Sequence, residues 1–219
     1  MVGRVGADLY GGYQRDNLAA AGVRAEFVAT DPDAASGVAL ITVERSGDNT
    51  IVVATGASGR CAPEDVDRAA SVLSQADVLL LQLEIPLETV EHAIHLAAQA
   101  GTRVILDPAP ARPLPDALLD QVDLLTPNET EAAVLCGLDP AKPADPADLA
   151  ARLQEKTRRS ILLTLGVAGA LVATDQGITH VPAVPVTPVD ATSAGDTFNG
   201  ALAVALAEGA DLIQAACWA

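Results

Sequence analysis

Aromatic side chains are nearly missing from this chain of 219 residues: Phe, Tyr and Trp together make up 2%. So small a stock leaves little to stack on nucleic-acid bases. Basic residues are scarce too, 13 Lys and Arg against 29 Asp and Glu, for a formal net charge of −16. A surface of that sign repels nucleic acid and anionic membranes, so neither is an expected partner, and the charge otherwise serves solubility. Cys61, Cys136 and Cys217 are far apart and odd in number. That excludes a disulfide framework or a Cys-x-x-Cys metal site, and buried reduced thiols are expected. No apolar run reaches the roughly 18 to 20 residues that span a bilayer. Residues 1–6 contain no apolar signal-peptide core, which points to the cytoplasm.

What the chain does have is apolar material, 50% of its residues, in short runs broken by charge, Gly or Pro. Helices are expected at 11–21, 63–74, 87–100, 129–136 and 147–156. Strands are expected at 77–83, 103–107, 122–125 and 160–165, with a hairpin at 170–174 and 178–181. Unbroken apolar strands alternating with amphipathic helices indicate an α/β fold with a mostly parallel sheet covered on both faces. Ligands of such sheets lie beyond the C-terminal strand ends. Glu84, Asp107, Asn128 and Gly166 all follow those ends closely, so one crevice is expected to collect them. Two β-rich runs, 37–44 and 50–54, separated by the loop 45–49, do not fit the alternation.

The most informative stretch is Val189-Asp190-Ala191-Thr192-Ser193-Ala194-Gly195-Asp196-Thr197-Phe198-Asn199-Gly200. Small residues lead into an apolar, alanine-rich helical run, with Asp196 where the helix should begin. The first amides of a helix lack internal partners and carry the positive end of the macrodipole. With only Ser193, Ala194 and Gly195 there, an anion can approach closely. A carboxylate beside that anion hole suggests deprotonation of a hydroxyl next to a phosphate. An isolated Asp in a first turn more often just complements the dipole.

This stretch resembles the C-terminal signature of the ribokinase-like (PfkB) sugar kinases. Leu81-Gln82-Leu83-Glu84-Ile85-Pro86-Leu87-Glu88, Asp107-Pro108-Ala109-Pro110-Ala111-Arg112 and Thr126-Pro127-Asn128-Glu129-Thr130-Glu131 are similar to segments of its ribokinase branch, in the same order. Thr164-Leu165-Gly166-Val167-Ala168-Gly169 stands before the final signature, as it does there. The resemblance implies a three-layer α/β/α sandwich with a mostly parallel central sheet, plus part of a small β lid at 37–55. It also implies ATP-dependent phosphorylation of D-ribose to D-ribose 5-phosphate, with Mg²⁺ and K⁺. Another sugar or nucleoside kinase of the family (acting on deoxyribose or fructose), or an inactive sugar- or nucleotide-binding fragment, stays open.

Residue by residue, the resemblance makes Asp196 the general base, with the amides of Ala194, Gly195 and Asp196 as the anion hole. Glu84 would contact the sugar together with Asp196. The nucleotide would meet Asn128, Thr164, Leu165, Gly166, Val167, Ala168, Gly169, Gly195 and Asp196. Asp190 and Thr192 would hold K⁺, although an acid before a helix is commonly a turn residue. Glu131 would reach Mg²⁺, through water; with Asn128 it also forms a capping-box pattern, and both readings stand. His92 and His95 share a helix face but suggest no third ligand, so a solvated face is expected. The family's N-terminal sugar-binding motif has no counterpart here, and its members continue past Ala219. Residues 1–219 are therefore expected to be an incomplete kinase domain, doubtful in activity alone. A homodimer through the lid is expected of the complete form.

Overall fold

A strand, a capped helix and a second strand parallel to the first open the chain. The computed structural model describes residues 1–43, 49–187 and 192–219. It divides into two units, residues 1–73 with 84–93 and residues 74–83 with 94–219. In the first unit β1 (Val2–Gly6) pairs in parallel with β2 (Phe27–Asp31) across α1 (Leu9–Ala20). Asp8 starts α1 by accepting the Gly11 amide at 2.8 Å, and it also accepts the amide and hydroxyl of Ser36, each at 2.7 Å. Those donors, the Ser36 hydroxyl first, hold its carboxyl below the usual range. Gly11 has to be glycine, because a Cβ there would strike the Gly6 carbonyl.

β3 (Val38–Val43) and β4 (Asn49–Ala54) form a separate antiparallel pair, as their β-rich composition suggested. Of the loop expected between them, 45–48 lies outside the described residues. The single helix expected at 63–74 is two short ones, α2 (Pro63–Asp67) and α3 (Ala70–Leu73).

In the second unit β5 (Val78–Leu81) is followed by α4 (Leu87–Ala100), whose first residues count with the first unit. Then come β6 (Arg103–Leu106), α5 (Asp116–Leu119), β7 (Leu124–Leu125) and α6 (Glu129–Leu135). The rest is α7 (Pro146–Thr157), β8 (Ser160–Thr164), β9 (Ala170–Thr174), β10 (Gly177–Val181), α8 (Ala194–Ala207) and α9 (Leu212–Trp218). One six-stranded sheet runs β10-β9-β8-β7-β6-β5, with β5 to β8 parallel and the last two antiparallel.

Both faces of this sheet are covered, which explains its unbroken apolar strands. Ile105, Leu124, Leu162 and Val172 pack in one core with Leu202, Ala205 and Leu206 of α8 and Ala215 and Ala216 of α9. On β8, Ile161 and Leu163 alternate to the other face. There α7 covers β8 and β9, burying Leu149, Ala150 and Leu153. The architecture is the expected α/β sandwich with a mostly parallel sheet. Removing a side chain as buried as Leu202 would cost about 2–5 kcal/mol.

Cys61 is buried and Cys136 half-buried, but Cys217 is exposed on the last turn of α9, against the expectation of buried thiols. Among the described residues no helix is long and apolar enough to cross a membrane.

Candidate active site

Because β5 to β8 run in one direction, their C-terminal ends lie along one edge of the sheet. The polar motifs of the second unit begin there. Asn128 and Thr164 form an isolated parallel bridge, with the Thr164 amide donating to the Pro127 carbonyl at 2.9 Å. The Asn-x-x-Glu element therefore adjoins the start of the loop 164–169. That loop closes on itself, the Leu165 amide bonding the Gly169 carbonyl at 2.8 Å. Gly169 has φ 94, and a Cβ there would strike the Val181 carbonyl, so no other residue fits. Gly166, Val167 and Ala168 are exposed at the tip.

Asn128 and Glu131 cap α6 reciprocally. The Glu131 carboxylate accepts the Asn128 amide at 2.8 Å and its side-chain Nδ2 at 2.9 Å, while Asn128 Oδ1 accepts the Glu131 amide at 2.9 Å. Burial pushes the Glu131 carboxyl up, and the two Asn128 donors pull against it. Both carboxylate oxygens are engaged, so direct metal ligation would compete with the cap, whereas contact through metal-bound water would not. Among the described residues no group of three or more His, Cys, Asp and Glu is gathered to hold a metal.

The helix α8 begins at Ala194, after Ser193 in the left-handed region at φ 60, and the Ser193 side chain makes no capping bond. The first-turn amides are thus not closed by their own N-cap. Ala194, Gly195 and Asp196 are exposed, and a Cβ added to Gly195 would meet nothing within 4 Å. Asp196 Oδ1 accepts Gln82 Nε2 at 2.9 Å. Behind it, Asn199 Nδ2 donates to Asp107 Oδ2 at 3.0 Å and to the Gly195 carbonyl at 3.1 Å. The hydroxyl of Thr126 and Oδ1 of Asn199 are buried with no partner. The end of β5, the end of β6 and the start of α8 thus meet around one exposed carboxylate.

An uncapped helix N-terminus, a carboxylate in its first turn and a glycine loop on the same edge of the sheet together suit transfer of a phosphoryl group to a hydroxyl. The pfkB family of carbohydrate kinases matches residues 1–219. The chain belongs to that family. The kinase is 36% identical over 204 residues to the ribokinase of Haemophilus influenzae, covering 93% of this chain and 67% of that protein. Over 205 residues it is 40% identical to the deoxyribokinase of Salmonella typhi, with the same two shares. It superposes on a structure of Arabidopsis thaliana ribokinase complexed with ribose and ATP with a TM-score of 0.87 at 30% identity, covering 98% of this chain and 71% of that one. The chain thus spans about two thirds of the length of these relatives. Its fold and its class, a phosphotransferase acting on carbohydrate, follow from the family.

Glu84 is exposed and opens the segment 84–93 of the first unit, whereas Asp107, Asn128, the loop 164–169 and Asp196 belong to the second. Thr192 is exposed in the turn before α8, and Asp190 lies outside the described residues. The two histidines do not converge: His92 meets Asp67 at 2.7 Å, while His95 bonds Gln121 and Gln99. Sequence reasoning missed His180, whose Nε2 bonds the Ala168 carbonyl of the glycine loop at 2.7 Å. It also missed the roles of Gln82 and Asn199. Asn199 carried a signal, being a lone amide on the buried face of a helix otherwise apolar along that side.

Proposed function

We propose that this kinase transfers the γ-phosphoryl group of ATP to the primary hydroxyl of D-ribose, giving D-ribose 5-phosphate, in the cytoplasm. The observation that carries the reading is the exposed, uncapped N-terminus of α8 with Asp196 in its first turn. Asp196 takes the hydroxyl proton as the oxygen attacks phosphorus. The amides of Ala194, Gly195 and Asp196 take up the charge that develops on the transferring group. Gln82, donating to Asp196 Oδ1, fixes the carboxylate and leaves Oδ2 for the sugar. Glu84 accepts sugar hydroxyls, and paired ribose hydroxyls suit a carboxylate.

ATP lies along Asn128, the loop from Thr164 to Gly169, and Gly195. Glu131 would hold Mg²⁺ of the bound nucleotide through water, a contact its engaged carboxylate permits, and the cation would offset phosphate charge. Asp190 and Thr192 would hold K⁺, which would add positive field to the anion hole. Activation by K⁺ over Na⁺, abolished by Asp190→Ala, supports that site; equal rates in both salts remove it. The exposed Leu40, Ile51, Val52 and Val53 of the β3–β4 pair would be covered by a second copy, with the pair serving as part of a sugar lid.

A second reading is deoxyribose as the substrate, favoured by the 40% identity to a deoxyribokinase. Steady-state ADP release with ribose, deoxyribose, fructose and nucleosides decides between them. The highest kcat/KM on ribose supports the first reading, and a preference for deoxyribose replaces it. ADP binding without turnover on any sugar would leave a binding protein.

A further inference from the structure

The peptide unit is planar, so a bond that holds a carbonyl also aims the amide of the next residue. The Gly195 carbonyl and the Asp196 N–H share one such plane, and that N–H is one of the three amides assigned to the anion hole. The carbonyl takes more than its helical bond. Asn199, four residues on and 3% exposed, donates its side-chain Nδ2 to it at 3.1 Å. The other Nδ2 hydrogen goes to Asp107 Oδ2 at 3.0 Å, just past the end of β6. Both donors of one amide group are spent, one on the catalytic turn and one on the sheet.

We propose that Asn199 is a positioning residue for phosphoryl transfer: braced on Asp107, it fixes the Gly195–Asp196 peptide and so aims the Asp196 amide at the transferring group. The proposal rests on the reaction assigned above. Asn199 Oδ1 is buried without a partner, which an apolar residue at that position would avoid. A side chain retained for stability alone is a poor account of an unsatisfied oxygen. The amide orientation is equally set by the contacts, since turning it would place oxygen against both the Asp107 carboxylate and the Gly195 carbonyl.

The test separates aim from strength. Asn199→Ala removes both bonds. The double exchange Asn199→Asp with Asp107→Asn restores an amide-to-carboxylate bond between helix and strand but leaves the Gly195 carbonyl without its side-chain donor. Expected is a fall in kcat of roughly 10- to 100-fold in both, with the sugar KM changed less than about threefold. The exchange sets a carboxylate oxygen against the Gly195 carbonyl, so it should recover only part of the melting temperature that Asn199→Ala loses, and none of the rate. The Asp196 backbone amide resonance should move in both variants. Recovery of kcat together with stability in the exchange would show a mere strut and overturn the proposal, as would an unaltered rate in Asn199→Ala. If Asn199→Ala does not fold, the exchange carries the comparison. If the parent chain phosphorylates no sugar, the assigned reaction falls, and the Asp196 resonance alone decides: unmoved, it overturns the positioning role.

Discussion

The two units differ in what holds their carboxylates. In the first, Asp65 is fully buried and closed in by cations: Arg4 Nε at 2.6 Å, Arg68, and the Ala62 amide at 2.9 Å. Asp31 is met by Arg4 and Arg60, each at 3.3 Å. Burial would raise the Asp65 carboxyl, but Arg4, the Ala62 amide and Arg68 outweigh it and hold it low. Burial, then the Asp65 charge, push the neighbouring Cys61 thiol up to about 11, which keeps it unreactive. In the second unit Glu131, Asp107 and Asp196 are held by the amides of Asn128, Asn199 and Gln82. A carboxylate neutralised by arginine is finished as a structural joint. One met by a neutral amide has no cation to compensate it at that contact. On the function proposed above, that contrast separates the frame of this kinase from its chemistry, and it can be broken from either side.

The largest effect should come from Asp196→Asn, which keeps the Gln82 contact in reach but removes the base. We expect kcat to fall about 10²- to 10⁴-fold with ADP binding retained in calorimetry. A near-normal kcat would move Asp196 from the chemistry to the frame.

Next in size is Gly195→Ala. The added Cβ meets no protein atom within 4 Å, and alanine is the better helix former by up to about 1 kcal/mol. The melting temperature should hold or rise, while the methyl intrudes on the space left for the phosphoryl group. A misplacement of about 1 Å costs roughly 10²-fold in rate. A variant as active as its parent would mean that the anion does not approach this turn.

How much of this was legible beforehand depends on the range of the interaction. The run Val104-Ile105-Leu106 and the stretch Ile161-Leu162-Leu163 announce buried parallel strands, and Gly101 marks the end of α4 at φ 76. β1 and β2 were not legible, since strands of five residues each, with Arg4 in one and Thr30 and Asp31 in the other, show no clean period. Their polar members are the joints of the frame. At the site, the glycine-and-acid pattern marked the start of α8 because helix termini are local. The bonds of Gln82 to Asp196 and of Asn199 to Asp107 join residues 114 and 92 apart in sequence. Only the strand order brings those pairs together.

On the other side of the comparison, Asp65→Ala strips Arg4 and Arg68 of a shared partner. Both arginines keep some access to water, so the loss should be about 2–3 kcal/mol, below the full penalty for breaking a buried pair. Denaturant unfolding measures it. The kcat of the folded fraction should stay within about twofold. A large fall in kcat without loss of stability would make the first unit's carboxylates part of the chemistry.

The smallest effect is the response to acid, and here the two units differ in sign. Asp8, Asp31 and Asp65 are held below the ordinary aspartate value. Their stabilisation is complete above the unfolded value near pH ~3.9 and is lost as the pH falls through their lower folded values. Glu131 is raised, so its contribution is complete below the unfolded value near pH ~4.3 and declines as the pH rises through its folded value. Below pH ~4 the first unit should therefore weaken while the cap of α6 does not. Hydrogen exchange read peptide by peptide should show β1 and β2 losing protection before α6 as the pH drops from ~5 to ~3. Earlier loss at α6 would mean that the Asn128–Glu131 cap depends on the ionised carboxylate more than its burial opposes it, and would place Glu131 with the arginine-bound acids of the frame.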